Sequence, residues 1–357
     1  WYCRANTSRK ASTSGRGESK AVTPEEIQSR LEPWLAQVSG ADSVTISEMG
    51  KLSGGAIQEN WALDVAFSSG PMAGMQKLVL RTDAPSAVLA SLSRVQEFAL
   101  FKLAFAAGVT VPEPLWCCAD ADVLGRSFFL MRKVGGYAAG YKLVKDQALG
   151  AGLLKNLGRE LARIHTITPP NEALSFLEVP KGPPALRDVE QYRAWLDDFS
   201  SPRPMLEWGL SWLQRNAPVR DEIVLTHRDF RTGNYMVEDG ALSGILDWEF
   251  AAWGDPVADI GWFCAKCWRF GATSKEAGGI GERVDFYRAY EHESGRVIDP
   301  ATVHYWEVMA HVRWAIIAIQ QGERFVVHGE ENLEAALTAY VAAELELEIM
   351  TMTGDGR

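Results

Sequence analysis

The sequence predicts an α+β fold in two lobes, a small antiparallel sheet followed by a larger, mainly helical part. Three observations carry that expectation. Short β-rich runs, "VTISEM", "NWALDVAF" and "KLVLR", crowd the stretch from Val44 to Arg81, separated by the turn-forming "SGGA" and "SSGPMAGM". After the glycine-containing "GGYAAG" near residues 135–140 the pattern becomes mostly helical. With 357 residues and 47% hydrophobic composition, the chain can bury a sizeable core in more than one unit.

Residues 1–20 are rich in Ser, Lys, Arg and Gly with little to bury, and read as a disordered leader or a non-native extension. The sheet lobe is expected over 21–134 and the helical lobe over 135–357. The first helix is written into "TPEEIQSRLEPWLAQVSG": Thr23 as N-cap, Pro24 at the first helical position, Glu26 completing a capping box and Gly40 as the stop. A helix is expected from about Pro85 to Ala107, then two strand-like runs, "VTVPEPLWCC" and "SFFLMRKV". In the helical lobe the main exception is a pair of strands around 224–247, whose ends lie next to one another if the two pair as a hairpin.

Several function classes are excluded or disfavoured. A formal net charge of −10 argues against a nucleic-acid partner, which is usually met by a basic surface. No apolar stretch approaches the roughly 20 residues that cross a bilayer, and the first residues lack the apolar core of a secretory signal, so no membrane insertion and a cytoplasmic location are expected. Five cysteines, an odd number, fit reduced thiols better than a disulfide framework. Cys264 and Cys267 form a C-x-x-C, but no second pair completes a tetrahedral metal site, and "DIGWFCAKCWRFG" reads as a helix that buries both thiols on one face.

Two polar segments point to chemistry. In "VLTHRDFRTGNYMV", residues 224–237, His227, Asp229 and Asn234 lie between apolar runs, and about ten residues on, "GILDWEF" ends another apolar run at Asp247. Two carboxylates and a carboxamide at strand ends make a set of hard oxygen atoms suited to Mg²⁺, with a base beside it. Asn234 and Asp247 are the metal-ligand candidates, and Asp229 is the group that orients an acceptor hydroxyl or amine and takes its proton. In "KLSGGAIQEN", Ser53, Gly54 and Gly55 sit between strands, where missing side chains let backbone N–H groups approach a polyphosphate; a plain hairpin turn explains the glycines equally well.

These segments resemble the aminoglycoside-phosphotransferase-like enzymes of the protein-kinase-like superfamily, a group with choline-kinase-type members, and within it the branch of kinase domains associated with acyl-CoA dehydrogenases. The resemblance rests on "LSGGAIQENW", "LVLR", "FFLMRKVGG", "THRDFRTGNYMV", "ILDWEF" and "GDPVADIGW", and covers about residue 22 to the C-terminus. It implies a protein-kinase-like two-lobe fold and Mg-ATP-dependent transfer of a γ-phosphate to a small molecule, with GTP left open as donor. It implies Asp229 as catalytic base and Asn234 and Asp247 as Mg²⁺ ligands. Arg81 falls where many relatives carry a lysine on the α- and β-phosphates, a departure that exchanges a point charge for a planar fork. Glu97 is its candidate partner. His227 braces the loop, Asp259 anchors it by accepting backbone hydrogen bonds, and Asp255 is a second anchor or an ordinary turn residue. The nucleotide base is expected against the backbone from Leu130 to Gly135, with Arg132 in that run.

The acceptor is the least determined part. The tryptophans of "DIGWFCAKCWRF" and "HYWEVMAHVRWAIIAIQQGERF" fit a helix core; any that line the acceptor pocket favour an acceptor more apolar than an aminoglycoside, and the resemblance to the acyl-CoA-dehydrogenase-associated branch implies a hydroxylated acyl or other lipid-derived metabolite. Arg313, Glu323 and Arg324 are the polar candidates there. The alternative function is a catalytically silent, nucleotide- or metabolite-binding regulator of the same fold. Asp247 and the "GDP" turn lie too close together for the long activation segment of a protein kinase. The sequence does not specify an oligomeric state.

Overall fold

The structure is a computed structural model that describes residues 23–52, 58–83, 91–146, 149–199, 201–326 and 333–354. Ser53, Gly54 and Gly55 lie outside the described residues. The first lobe is a five-stranded sheet in the order β1-β2-β3-β5-β4, built from β1 (Val44–Lys51), β2 (Gln58–Phe67), β3 (Gly74–Asp83), β4 (Pro114–Cys118) and β5 (Phe128–Arg132). Each neighbouring pair is antiparallel. Helix α1 (Pro24–Ser39) carries the expected reciprocal Thr23–Glu26 capping box and ends at left-handed Gly40. Its Ile27, Leu31 and Leu35, spaced by four, join Trp61, Leu63 and Leu130 in one core.

Helix α2 (Arg94–Ala106) starts later than the sequence suggests, at a Ser93 cap, and residues 84–90 lie outside the described set. Its buried face carries Glu97 alongside Leu100, Phe101 and Ala104. A charge on that face must meet a partner inside the protein. The short α3 (Ala121–Leu124) joins β4 to β5.

The second lobe holds α4 (Gly140–Lys145), α5 (Ala151–Ile164), α6 (Pro184–Asp197) and α7 (Pro204–Arg215), then four short strands and α8 (Pro256–Cys264). Helices α9 (Arg283–Ser294), α10 (Pro300–Val326), α11 (Leu333–Thr338) and α12 (Val341–Thr353) complete it. The tryptophan-rich α10 is largely core, as a helical aromatic stripe suggests: Trp306, Val308, Val312 and Ile316 are buried in the main cluster. Among the described residues no helix is long and apolar enough to cross a membrane.

The two runs in this lobe that precede Asp229 and Asp247 do not pair with each other as a hairpin. The run before Asp229, β6 (Val224–Thr226), pairs with β9 (Ala252–Gly254), not with the run before Asp247. That run, β8 (Ala241–Ile245), pairs with β7 (Tyr235–Glu238). The turn between β7 and β8 is Asp239-Gly240, both at positive φ, 50° and 78°. An Asp-Gly pair of this kind closes tight hairpins, which fixes β7 to β8 and frees β6 for another partner. The "DIGWFCAKCWRFG" stretch is also not one helix: α8 ends at Cys264, and Cys267 lies in a separate short 3₁₀ turn, Lys266–Trp268. Both thiols are free, and among the described residues no group of three or more His, Cys, Asp and Glu side chains is placed to hold a metal.

The link between lobes is pressed onto that hairpin. Tyr137 and Val237 exchange two backbone hydrogen bonds of 3.0 Å. A Cβ on Gly136, which sits at φ +95°, would lie 2.0 Å from the Val237 carbonyl oxygen. Glycine there is required by both space and backbone conformation.

Candidate active site

The β7–β8 hairpin positions two of the site residues. Tyr235 and Ile245 are register partners at its open end, and Leu246 donates to the Asn234 carbonyl at 2.8 Å, so Asn234 and Asp247 flank the same hairpin mouth. Asp247 sits at φ 60°, a left-handed conformation that turns its side chain out of the strand line. Asp229 lies on the loop after β6. The Asn234 amide donates to Asp229 Oδ2 and, at 3.0 Å, to the Asp229 carbonyl oxygen. With its amino group so used, the Asn234 side-chain oxygen is left as the atom available to a cation.

The loop is held from behind by a fully buried carboxylate. Asp259, in the first turn of α8, accepts the backbone N–H groups of His227 and Arg228, each at 2.7 Å. His165, itself hydrogen-bonded to the Tyr290 hydroxyl at 2.8 Å, approaches Asp259 at 3.3 Å. Arg228 needs this anchoring because it is a non-glycine residue at φ 61°. His227 packs under the loop, its Nε2 2.9 Å from the Leu246 carbonyl oxygen and its ring 4.7 Å from Trp248. Asp255 caps α8 by accepting the Val257 N–H at 2.8 Å.

Arg81 is buried on β3 and meets Glu97 through two bonds, Nε to Oε2 at 3.0 Å and Nη2 to Oε1 at 2.9 Å. The same Nη2 is 2.9 Å from Asp247 Oδ1. Burial alone would lower the guanidinium pKa; the charges of Glu97 and Asp247 reverse this and raise it. Asn60 adds a contact to Nη1 at 3.3 Å.

Sequence reasoning missed the rest of this network. Arg94 pairs with Glu97, reaches Asp83 at 2.9 Å and approaches Glu249 at 3.8 Å. Gln58 hydrogen-bonds Glu249, tying the start of β2 to the residue two after Asp247. Burial pushes the Glu249 carboxyl up to about 8 against the pull of Arg81. Two further residues touch Asp229 itself: Trp262 Nε1 donates to Oδ1 at 3.0 Å and Arg231 Nε to the same oxygen at 3.1 Å. Trp262 closes the "GDPVADIGW" run, so its helix start was readable while its reach back to Asp229 was not.

Not every candidate joins the group. The Leu130 side chain is fully buried in the sheet core, between Leu80 of β3 and Trp116 of β4, which leaves the backbone of residues 130–135 as the part of this run that the nucleotide-base expectation concerns. Arg132 gives its guanidinium to Glu113 at 2.7 Å and Gln76 at 2.9 Å, outside the Arg81 network. Glu323 and Arg324 lie near the end of α10. Arg313, further up the same helix, does reach the loop that carries Asp229: its Nη1 donates to the Arg228 carbonyl.

The donor set fits a divalent cation. One carboxylate, one third exposed, and one carboxamide oxygen suit Mg²⁺, which binds through one or two protein oxygens plus substrate phosphates and water. The arrangement sets a buried guanidinium, a carboxylate and a carboxamide oxygen side by side, with the Asp229 carboxylate next to the carboxamide.

The sequence model of the phosphotransferase enzyme family matches residues 51–299. Among curated proteins, acyl-CoA dehydrogenase family member 10 of Mus musculus is 28% identical over 251 residues, 66% of this chain and 22% of that protein. Family member 11 of the same species is 25% identical over 292 residues, covering 74% of this chain and 36% of that protein. The chain therefore spans only about a third or less of the length of these relatives. Among solved structures, a putative aminoglycoside phosphotransferase of Ralstonia eutropha superposes with a TM-score of 0.70 at 20% identity, over 91% of this chain and 97% of that one. An aminoglycoside phosphotransferase in ternary complex with ADP and hygromycin B gives 0.58 at 16% identity, over 92% and 99% of the two chains.

Proposed function

The chain belongs to the phosphotransferase enzyme family and has the protein-kinase-like two-lobe fold, and we propose from that premise that it transfers the γ-phosphate of ATP to a hydroxyl of a small molecule. The observation that carries the proposal is the convergence of Asp229, Asn234 and Asp247 at one loop and one hairpin mouth, with Arg81 bonded to Asp247.

In this reading Arg81, held in place by Glu97, donates to the nucleotide phosphates, exchanging its bond to Asp247 for bonds to phosphate oxygens. Asn234 and Asp247 would hold Mg²⁺, which would supply positive charge against the phosphates. Asp229 Oδ2 faces the metal-ligand side, while Oδ1 is fixed by Trp262 and Arg231. The carboxylate orients the acceptor hydroxyl and takes its proton as the acceptor oxygen bonds to phosphorus and the bond to the β-phosphate oxygen breaks, releasing ADP. The similarity to proteins of the acyl-CoA dehydrogenase family favours a hydroxylated acyl metabolite as acceptor over an aminoglycoside.

All three oxygen-bearing residues are present, which disfavours a silent regulator. The test is Mg²⁺-dependent transfer of labelled γ-phosphate from ATP, and separately GTP, to a panel of hydroxylated metabolites. Labelled product that disappears with EDTA supports the proposal. Nucleotide binding without turnover, in the presence and absence of every acceptor, would favour the silent alternative.

A further inference from the structure

The side of Asp229 facing away from Asn234 is built from guanidinium groups stacked on indoles. Arg231 lies over Trp268 at 4.4 Å and Arg313 over Trp262 at 4.4 Å, with Phe250 5.9 Å from Arg313. Beneath the loop a cavity of about 20 Å³ is lined by Asp188, Tyr192, Arg228, Trp262, Met309 and Arg313, among others.

Every acidic group around it is already matched. Asp188 takes both terminal nitrogens of Arg228, at 3.2 and 2.9 Å. Asp229 takes Arg231, and Asp259 takes two backbone N–H groups and His165. Arg313 is the charge left over. It is 91% buried (9% exposed), and among the described residues it has no carboxylate within ion-pair distance and one hydrogen bond, to the Arg228 carbonyl. Burial and the neighbouring Arg228 charge lower its pKa, against the opposing pull of Tyr192, Asp229 and Asp188. A buried guanidinium keeps several N–H donors and seeks an oxyanion that matches its planar fork. Cationic amino groups would be repelled from the same place.

We propose that Arg313 is the anion anchor of the acceptor site, so that the acceptor carries a carboxylate or phosphate monoester that pairs with this guanidinium while its hydroxyl meets Asp229. The inference rests on the phosphotransferase reading and narrows its substrate class to anionic hydroxy compounds.

The test uses the full chain loaded with Mg-ADP for binding and with Mg-ATP for turnover. The probes are short- and medium-chain hydroxy-carboxylates, glycerol phosphate, the primary amides of the same hydroxy acids, and kanamycin. An anionic probe is expected to bind and be phosphorylated, its amide to lose about tenfold or more in kcat/KM, and kanamycin to be unused. Arg313→Gln should raise the acceptor KM about tenfold or more with the Kd for ATP unchanged, and Arg313→Lys should recover part of the loss. The acid–amide comparison on the unaltered protein decides the matter even if the variants do not fold. Equal use of acid and amide, preference for kanamycin, or failure of every anion to bind the Mg-ADP form overturns the proposal. Phosphate transfer to neutral or cationic acceptors alone overturns it and leaves the phosphotransferase reading intact, whereas absence of nucleotide binding removes both.

Discussion

One nitrogen of Arg81, Nη2, stands 2.9 Å from Asp247 Oδ1 and 2.9 Å from Glu97 Oε1, so a single buried guanidinium joins the sheet, helix α2 and the mouth of the β7–β8 hairpin. Glu97 is shared further with Arg94. Replacing Glu97 by Gln leaves two buried cations without their common carboxylate. Breaking a buried ion pair from one side costs about 3–5 kcal/mol. Chemical denaturation of Glu97→Gln should show a loss of that order, and ATP titration should show weakened binding. Unchanged stability with unchanged ATP affinity would mean that the network holds Arg81 by other contacts.

Trp262 offers a cleaner test of how Asp229 is positioned. Trp262→Phe keeps an aromatic ring on the side of Trp268 and Arg313 and removes the indole N–H that reaches Oδ1 at 3.0 Å, together with part of the buried ring. A hydrogen bond to a charged group contributes about 1.5–3 kcal/mol, so kcat should fall roughly tenfold to a hundredfold. The KM for ATP should stay near the parent value, because Arg81 and the hairpin mouth are untouched. A rise in the KM for ATP with kcat intact would assign Trp262 to the nucleotide side instead.

The Asp259 anchor should make stability depend on acid in a defined direction. Burial raises its pKa, but the hydrogen bond and charge of His165, the charge of His227 and the His227 N–H together bring it below the ordinary value. A carboxylate with a depressed folded pKa contributes stability that is present above its unfolded value of about 3.9 and is lost as pH falls through the folded value. Asp259→Asn should therefore unfold at a lower temperature than the parent at pH 7. That gap should narrow below about pH 4, as the parent carboxylate itself becomes protonated. A gap independent of pH would show that the charge is not what anchors the loop.

Local features were legible in the sequence and long-range ones were not. The Thr23–Glu26 box and the Gly40 stop are short-range chemistry and stand where the residues indicate. Asp229, Asn234 and Asp247 stood out because oxygen-bearing side chains sat at the ends of apolar runs, and the fold brings them to one place. The partner of β6 was not legible, because Asp239-Gly240 closes β7 on β8, while β9, which β6 takes, is only three residues long. Arg94, Glu249 and Trp262 act across distances in sequence that no spacing rule reaches, 155 residues between the first two.

The most direct measurement of the central claim is the turnover number of Asp229→Asn beside its affinity for Mg-ATP. Removing a positioned base should lower kcat by about 10²–10⁴-fold while nucleotide affinity stays close to that of the parent, because Arg81, Asn234 and Asp247 remain. A variant that transfers phosphate as fast as the parent would contradict the role assigned to Asp229.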